Sequence, residues 1–68
     1  MITEKVGLRI KELRNEEGIS QEKLALKANI DRTYLAGAEI GKRNLSLKSL
    51  EKIINALDIS FEFFFKGI

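Results

Sequence analysis

The side chains best suited to molecular recognition lie in one segment, DRTYLAGAEIGKRN, which spans Asp31–Asn44. Arg32 can donate two parallel hydrogen bonds to a planar pair of acceptors, and Thr33 offers both a hydroxyl and a methyl group. The segment ends in three consecutive donors, Lys42, Arg43 and Asn44. These groups bind anions and polar edges, so the segment predicts a recognition surface.

The chain lacks the groups on which most enzymes depend. It has no histidine and no cysteine, and it shows no glycine-rich phosphate loop and no clustered set of carboxylates. We therefore expect a protein that is not an enzyme, with no cofactor, no metal and no small-molecule substrate.

Length and composition indicate a single domain over residues 1–68. The chain is 44% hydrophobic and must hold its core by apolar packing alone, since it has no disulfide. No apolar run exceeds three residues and the N-terminus is charged, so we expect neither a membrane span nor a signal peptide. A cytoplasmic location is the expectation from these absences.

The net charge of +2 is unevenly distributed. Residues 27–48 hold five basic and two acidic side chains, a net charge of +3, whereas residues 1–26 balance to zero and residues 49–68 sum to −1. A solvated helix face is one interpretation of such a cluster. The other is an electrostatic surface for a polyanion.

Apolar residues recur at three- and four-residue spacing throughout, which predicts helices and no strands. The first helix ends at Gly18. Ser20 caps a second, Gln21–Ala28, and Asn29 suits the sharp turn that follows. Asp31 caps a third helix to about Ile40. Ser46 caps a fourth and Ser60 a fifth, from Phe61 to about Phe65. The expected fold is all-α, a compact five-helix bundle.

Two short helices joined by a tight turn suggest a helix-turn-helix, whose second helix enters the DNA major groove. At 100° per residue, one arc of about 140° on the third helix is predicted to face outward. Its members are Arg32, Thr33, Ala36, Gly37 and Ile40. A helix-interior glycine costs about 1 kcal/mol relative to alanine, and close approach of DNA would explain Gly37.

The twenty residues QEKLALKANIDRTYLAGAEI resemble the helix-turn-helix pattern of the Cro and phage-repressor type, or XRE-like family, and the likeness extends over about residues 4–65. Within that family the chain most resembles controller proteins of restriction–modification systems, through DRTYL, RNLSLKSLEKI and the phenylalanine-rich end. The resemblance implies a lambda-repressor-like DNA-binding domain. The chain departs from such controllers at Ile40, where a basic residue is usual, and at Ala36, where serine is usual.

Arg32 and Thr33 are the predicted base-reading residues, with Ala36 and Gly37 lining the same face. The alternative for Arg32 is an exposed arginine at a helix start, and threonine also fits a first helical turn. Predicted phosphate contacts come from the start of the second helix, from a tyrosine hydroxyl and from the loop after the third helix, namely Ser20, Gln21, Tyr34, Lys42, Arg43 and Asn44. The alternative for Ser20 and Gln21 is that they only cap the second helix. The alternative for Tyr34 is that its ring only packs against the protein.

Two further expectations concern architecture. The resemblance implies a structural ion pair between Arg14 and Glu39. The FEFFF segment holds four rings that point around most of a short helix, Phe61, Phe63, Phe64 and Phe65. Since one core cannot cover them all, we expect part of this set to pack inside and part to form a dimer interface.

Together these features predict a sequence-specific transcriptional regulator that binds a two-fold-related DNA operator as a homodimer. By resemblance it would control a restriction–modification operon, with RNA polymerase as a further partner that the resemblance allows. A phage-type repressor or an antitoxin is the nearest alternative. A helical protein-interaction module is the alternative from a different class.

Overall fold

The computed structural model of the protein describes all 68 residues and contains five α-helices and no strand. The helices are α1 (Ile2–Glu17), α2 (Gln21–Ala28), α3 (Arg32–Glu39), α4 (Leu47–Ala56) and α5 (Phe61–Lys66). The predicted all-α class is confirmed. The third helix ends at Glu39, because Ile40 leaves the helical conformation and Gly41 turns the chain with a φ of 80°. No helix combines the length and the apolar character needed to cross a bilayer.

Side-chain caps fix where four of the helices begin. Ser20, Asp31, Ser46 and Ser60 each accept a hydrogen bond from the backbone N–H three residues later. Such caps satisfy donors that the first turn of a helix leaves free. Asn29 ends α2 in the left-handed conformation, with a φ of 58°. Local sequence therefore determines where α2 ends and where α3 begins.

The core is one cluster to which all five helices contribute. Its members are the apolar residues that recur every three or four positions, joined by one aromatic ring from α5. They are Val6, Ile10, Leu13, Leu24, Ala25, Ala28, Leu35, Leu50, Ile53, Ile54, Leu57 and Phe64. This arrangement leaves the opposite face of α3 free.

Helix α1 approaches the end of α3 at backbone distance. A Cβ atom added to Gly7 would collide with the carbonyl oxygen of Ala38, and one added to Gly41 would lie 2.7 Å from Cγ of Glu4. Residues without side chains are therefore required where these segments cross. As a result α1 supports the C-terminal half of α3 directly.

Candidate nucleic-acid interface

Helices α2 and α3 and the turn between them form the unit that carries the candidate site. The N–H of Ile30 donates to the carbonyl of Ala25 at 3.0 Å, which closes the turn after Asn29. Leu35 and Ala38 fix the inner side of α3 in the core, with exposures of 0% and 1%. The turn and this anchoring determine which side of α3 faces solvent.

The outward face of α3 begins with exposed polar side chains and continues with very small ones. Arg32 and Thr33 are exposed at its start, and Ala36 and Gly37 are half-buried behind them. Ile40, at the far end, is 62% exposed. All five residues of the predicted arc therefore have some solvent exposure, four of them on α3 and Ile40 directly after its last residue.

Arg43 folds back from the loop after α3 and lies over Gly37. A Cβ atom at position 37 would be 2.6 Å from Cγ of Arg43. The guanidinium carbon of Arg43 lies 5.9 Å from the ring centroid of Tyr34, a cation–π arrangement. A contact within the chain is therefore a second reason for a residue without a side chain at position 37, beside the close approach of DNA that the sequence suggests.

The hydroxyl of Tyr34 ties the same loop to the start of α4. It donates to the carbonyl of Asn44 and accepts from the N–H of Ser46, both at 3.4 Å. Lys42, Arg43 and Asn44 are exposed between these attachments. The loop therefore presents its three donors from a defined path beside α3.

A buried ion pair connects α1 to α3. Arg14 donates from Nε to Oε2 of Glu39 at 2.7 Å and from Nη2 to Oε1 at 3.1 Å. A further bond from Nη1 reaches the carbonyl of Ile19 at 2.8 Å. The pKa of Arg14 is raised, mainly by its hydrogen bond with Glu39. Burial lowers this pKa, and the negative charge of Glu39 raises it. This is the pair that the resemblance implies.

The start of α2 joins the same network. Nε2 of Gln21 donates to Oε1 of Glu39 at 2.9 Å, so this amide is engaged inside the chain. Oγ of Ser20 accepts from the N–H of Lys23 at 3.0 Å. Both side chains, expected at phosphates, therefore also have intramolecular partners, and the exposed hydroxyl of Ser20 lies beside the free N–H groups of the helix start.

The four phenylalanines of α5 separate into three environments. Phe64 is fully buried, so it is a core residue and not part of a dimer surface. The Phe63 ring lies 5.2 Å from the guanidinium carbon of Arg9. Phe61 and Phe65, four residues apart, share one side of the helix and are 46% and 43% exposed. Phe63 is itself 49% exposed, but it lies on the opposite side of α5 from this pair.

Phe65 also lines an apolar groove of about 400 Å³ between α1, the loop after α3, α4 and α5. The apolar lining consists of Ile2, Val6, Leu45, Leu47, Leu50 and Phe65. Leu47 is 85% exposed and Ile2 is 64% exposed. The apolar spacing of the fourth helix begins at Leu47, which places this residue with the inward-facing Leu50 and Ile53, but the structure leaves it exposed because it precedes the buried part of α4. Nothing in the sequence pattern singles out Ile2.

The chain belongs to the helix-turn-helix family, since the family model of that description matches residues 10–64. It is 44% identical to control protein C.MunI of a Mycoplasma species over 63 residues, which cover 91% of this chain and 85% of the relative. It is also 48% identical to the immunity repressor of Bacillus phage phi105, over 79% of this chain and 38% of that protein.

Among solved structures, the fold is similar to the restriction–modification controller protein C.Esp1396I. The TM-score is 0.93 at 47% identity, and the match covers 97% of this chain and 87% of the other. These findings confirm the predicted resemblance to controller proteins and the helix-turn-helix fold.

The Arg14–Glu39 pair generates a prediction about stability. Glu39→Gln keeps the shape but leaves the Arg14 guanidinium buried without a counter-charge, so we expect a loss of roughly 3–5 kcal/mol in the free energy of unfolding. Urea denaturation followed by circular dichroism measures it. Glu51→Gln, the same change at an exposed position of α4, is the control and should cost under about 0.5 kcal/mol. Equal losses in the two variants would contradict the role of the pair.

Proposed function

We propose that this protein is a sequence-specific DNA-binding transcriptional regulator that binds a two-fold-related operator as a homodimer and controls a restriction–modification operon. The observation that carries the proposal is the exposed, low-profile face of α3, which begins with Arg32 and Thr33 in a helix-turn-helix. The similar protein C.Esp1396I is described as a tetramer in complex with its natural 35 base-pair operator, matched here with a TM-score of 0.92. The whole chain, residues 1–68, acts as one domain.

Base recognition is assigned to the start of α3. An arginine can bond the O6 and N7 atoms of guanine together, and a threonine can bond a base edge or place its methyl against thymine. Ala36 and Gly37 follow with little side-chain height, so α3 can lie deep in a groove about 12 Å wide. Since Ile40 and Ala36 offer no polar group, base selectivity rests on Arg32 and Thr33.

Phosphate contacts are assigned to groups on either side of α3. Lys42, Arg43 and Asn44 are exposed on the loop that Tyr34 holds in place. Ser20 lies at the N-terminus of α2, where free N–H groups and the helix dipole favour an anion. Gln21 contributes its backbone N–H, because its side-chain amide already binds Glu39.

Homodimerisation is assigned to the exposed apolar surface of Phe61, Phe65, Leu47 and Ile2. A single small module buries only about 600–1,000 Å² on DNA, so a symmetric pair is needed for tight and selective binding. Arg43 and Asn44 also line the groove beside Phe65. A partner on this surface therefore brings the DNA-binding loops of two protomers together. RNA polymerase is proposed as a further partner because the resemblance to controller proteins allows it.

Arg32→Ala tests base recognition. We expect a loss of about 1–3 kcal/mol in binding to the operator, because both bonds to guanine disappear, and a much smaller loss on random duplex. Titrations of both duplexes at one salt concentration measure the difference. Lys52→Ala, which removes one exposed positive charge from α4, controls for net charge. Equal losses on operator and random DNA would reduce Arg32 to a phosphate contact.

Gly37 and Arg43 are tested as a coupled pair. Gly37→Ala should leave the helix as stable or more so, yet it displaces Arg43 and should weaken binding to all sequences. The slope of log affinity against log salt should become shallower by about one unit per protomer, as in Arg43→Ala. The double variant should bind no worse than Arg43→Ala alone. If it binds markedly worse, the groove itself requires Gly37 and the coupling is absent.

Phe65→Asp tests the dimer surface. The variant should keep its helical circular dichroism but sediment as a monomer, and it should bind a full operator little better than a half-site, because the second protomer no longer contributes. Leu8→Asp places the same charge on the other side of α1, where the side chain is 56% exposed, and should remain dimeric. If the Phe65→Asp variant remains dimeric in sedimentation, the dimer interface does not include Phe65.

A further inference from the structure

Helix α5 has little to hold it in place by itself. It has six residues, and helices of that length are not stable alone in water. Phe64 is its only buried residue. A helix held in the core by one ring needs a further contact to fix its orientation, and with it the positions of the exposed Phe61 and Phe65.

Arg9 of α1 supplies a second attachment. Its Nε donates to the carbonyl of Phe64 at 2.7 Å and its Nη2 donates to the carbonyl of Phe63 at 2.8 Å. These carbonyls belong to the last turn of α5, where backbone carbonyls are left without partners inside the helix. The positive charge also lies at the negative end of the helix dipole.

The surroundings of Arg9 keep its guanidinium in this position. The side chain is only 12% exposed, and Oε1 of Glu12 lies 4.0 Å from Nη1. The ring of Phe63 covers one side at 5.2 Å. Gly67 lies against another side of the guanidinium, because a Cβ atom at position 67 would collide with it. The absence of a side chain at Gly67 is therefore tied to the place that Arg9 occupies.

We propose that Arg9 is a positioning residue for the dimer surface: it fixes the orientation of α5 so that Phe61 and Phe65 meet a second copy of the chain as a rigid surface. The inference rests on the homodimer proposed above. With Phe64 as one fixed point and the Arg9 hydrogen bonds as another, the helix can no longer rotate. A surface that is already ordered loses less conformational entropy on association.

Arg9→Met tests this inference, because methionine keeps the aliphatic stem and removes the charge and all the donors. The dimer dissociation constant, from sedimentation equilibrium, should rise by about tenfold or more, since two charge-assisted hydrogen bonds that order α5 are lost. Circular dichroism should remain helical, and affinity for an isolated half-site should not change. Amide hydrogen exchange in α5 should accelerate while exchange in α3 stays as in the wild type.

Two variants serve as comparisons. Lys5→Met makes the same chemical change at an exposed position one turn earlier in α1 and should dimerise as the wild type does. Arg9→Lys keeps the charge but lacks the planar fork that bonds two carbonyls, so its dissociation constant should lie between those of the wild type and Arg9→Met. Wild-type dimerisation and α5 exchange in Arg9→Met would overturn the inference.

Gly67→Ala covers the case in which Arg9→Met does not fold. It leaves the Arg9 donors in place but pushes the guanidinium aside, and we expect a folded protein with a weakened dimer. A folded Gly67→Ala protein with wild-type dimerisation, or unfolding of both variants, would overturn the inference. A wild-type chain that stays monomeric at all concentrations would instead refute the homodimer itself.

Discussion

The ion pair between Arg14 and Glu39 is the interaction on which the rest of the structure depends. It joins the end of α1 to the end of α3, and through Gln21 it also holds the start of α2. The pair is largely buried, so water can do little to replace a lost partner. Because Arg14 also bonds the carbonyl of Ile19, the connection between α1 and α2 is part of the same network. The position of α3 relative to its support follows from these contacts.

The close approach of α1 to α3 has a consequence for both surfaces of the molecule. Gly7 and Gly41 allow α1 to lie against the end of α3, and α1 also carries Arg9, which bonds the last turn of α5. One helix therefore supports the proposed DNA-binding helix along one part of its length and the proposed dimer helix along another. A shift of α1 would move both surfaces together, and the proposed homodimer needs its two recognition helices at a fixed separation on DNA.

The loop after α3 is where the two surfaces adjoin. Arg43 lies over Gly37 and near the Tyr34 ring, while Asn44 and Leu45 lead to the groove lined by Phe65. The small side chains of α3 thus have two consequences: they lower the profile of the helix, and they make room for an arginine from its own loop. A single short segment, Lys42–Leu45, connects DNA contact with dimer contact in the proposed function.

Local sequence was enough to predict the helices and much of the outward face of α3. Caps at Ser20, Asp31, Ser46 and Ser60 and the left-handed Asn29 are local effects, and apolar spacing selects the inner side of each helix, so neighbouring residues suffice to predict them. Tertiary contacts were needed to show that Phe64 enters the core while Phe61 and Phe65 remain exposed, that Arg9 bonds α5, and that Arg43 lies over Gly37. These outcomes depend on contacts between different elements of the fold. The residues in contact are separated by 6 positions for Gly37 and Arg43 and by 55 for Arg9 and Phe64. The spacing of apolar residues within one helix carries no information about which other segment a side chain will meet.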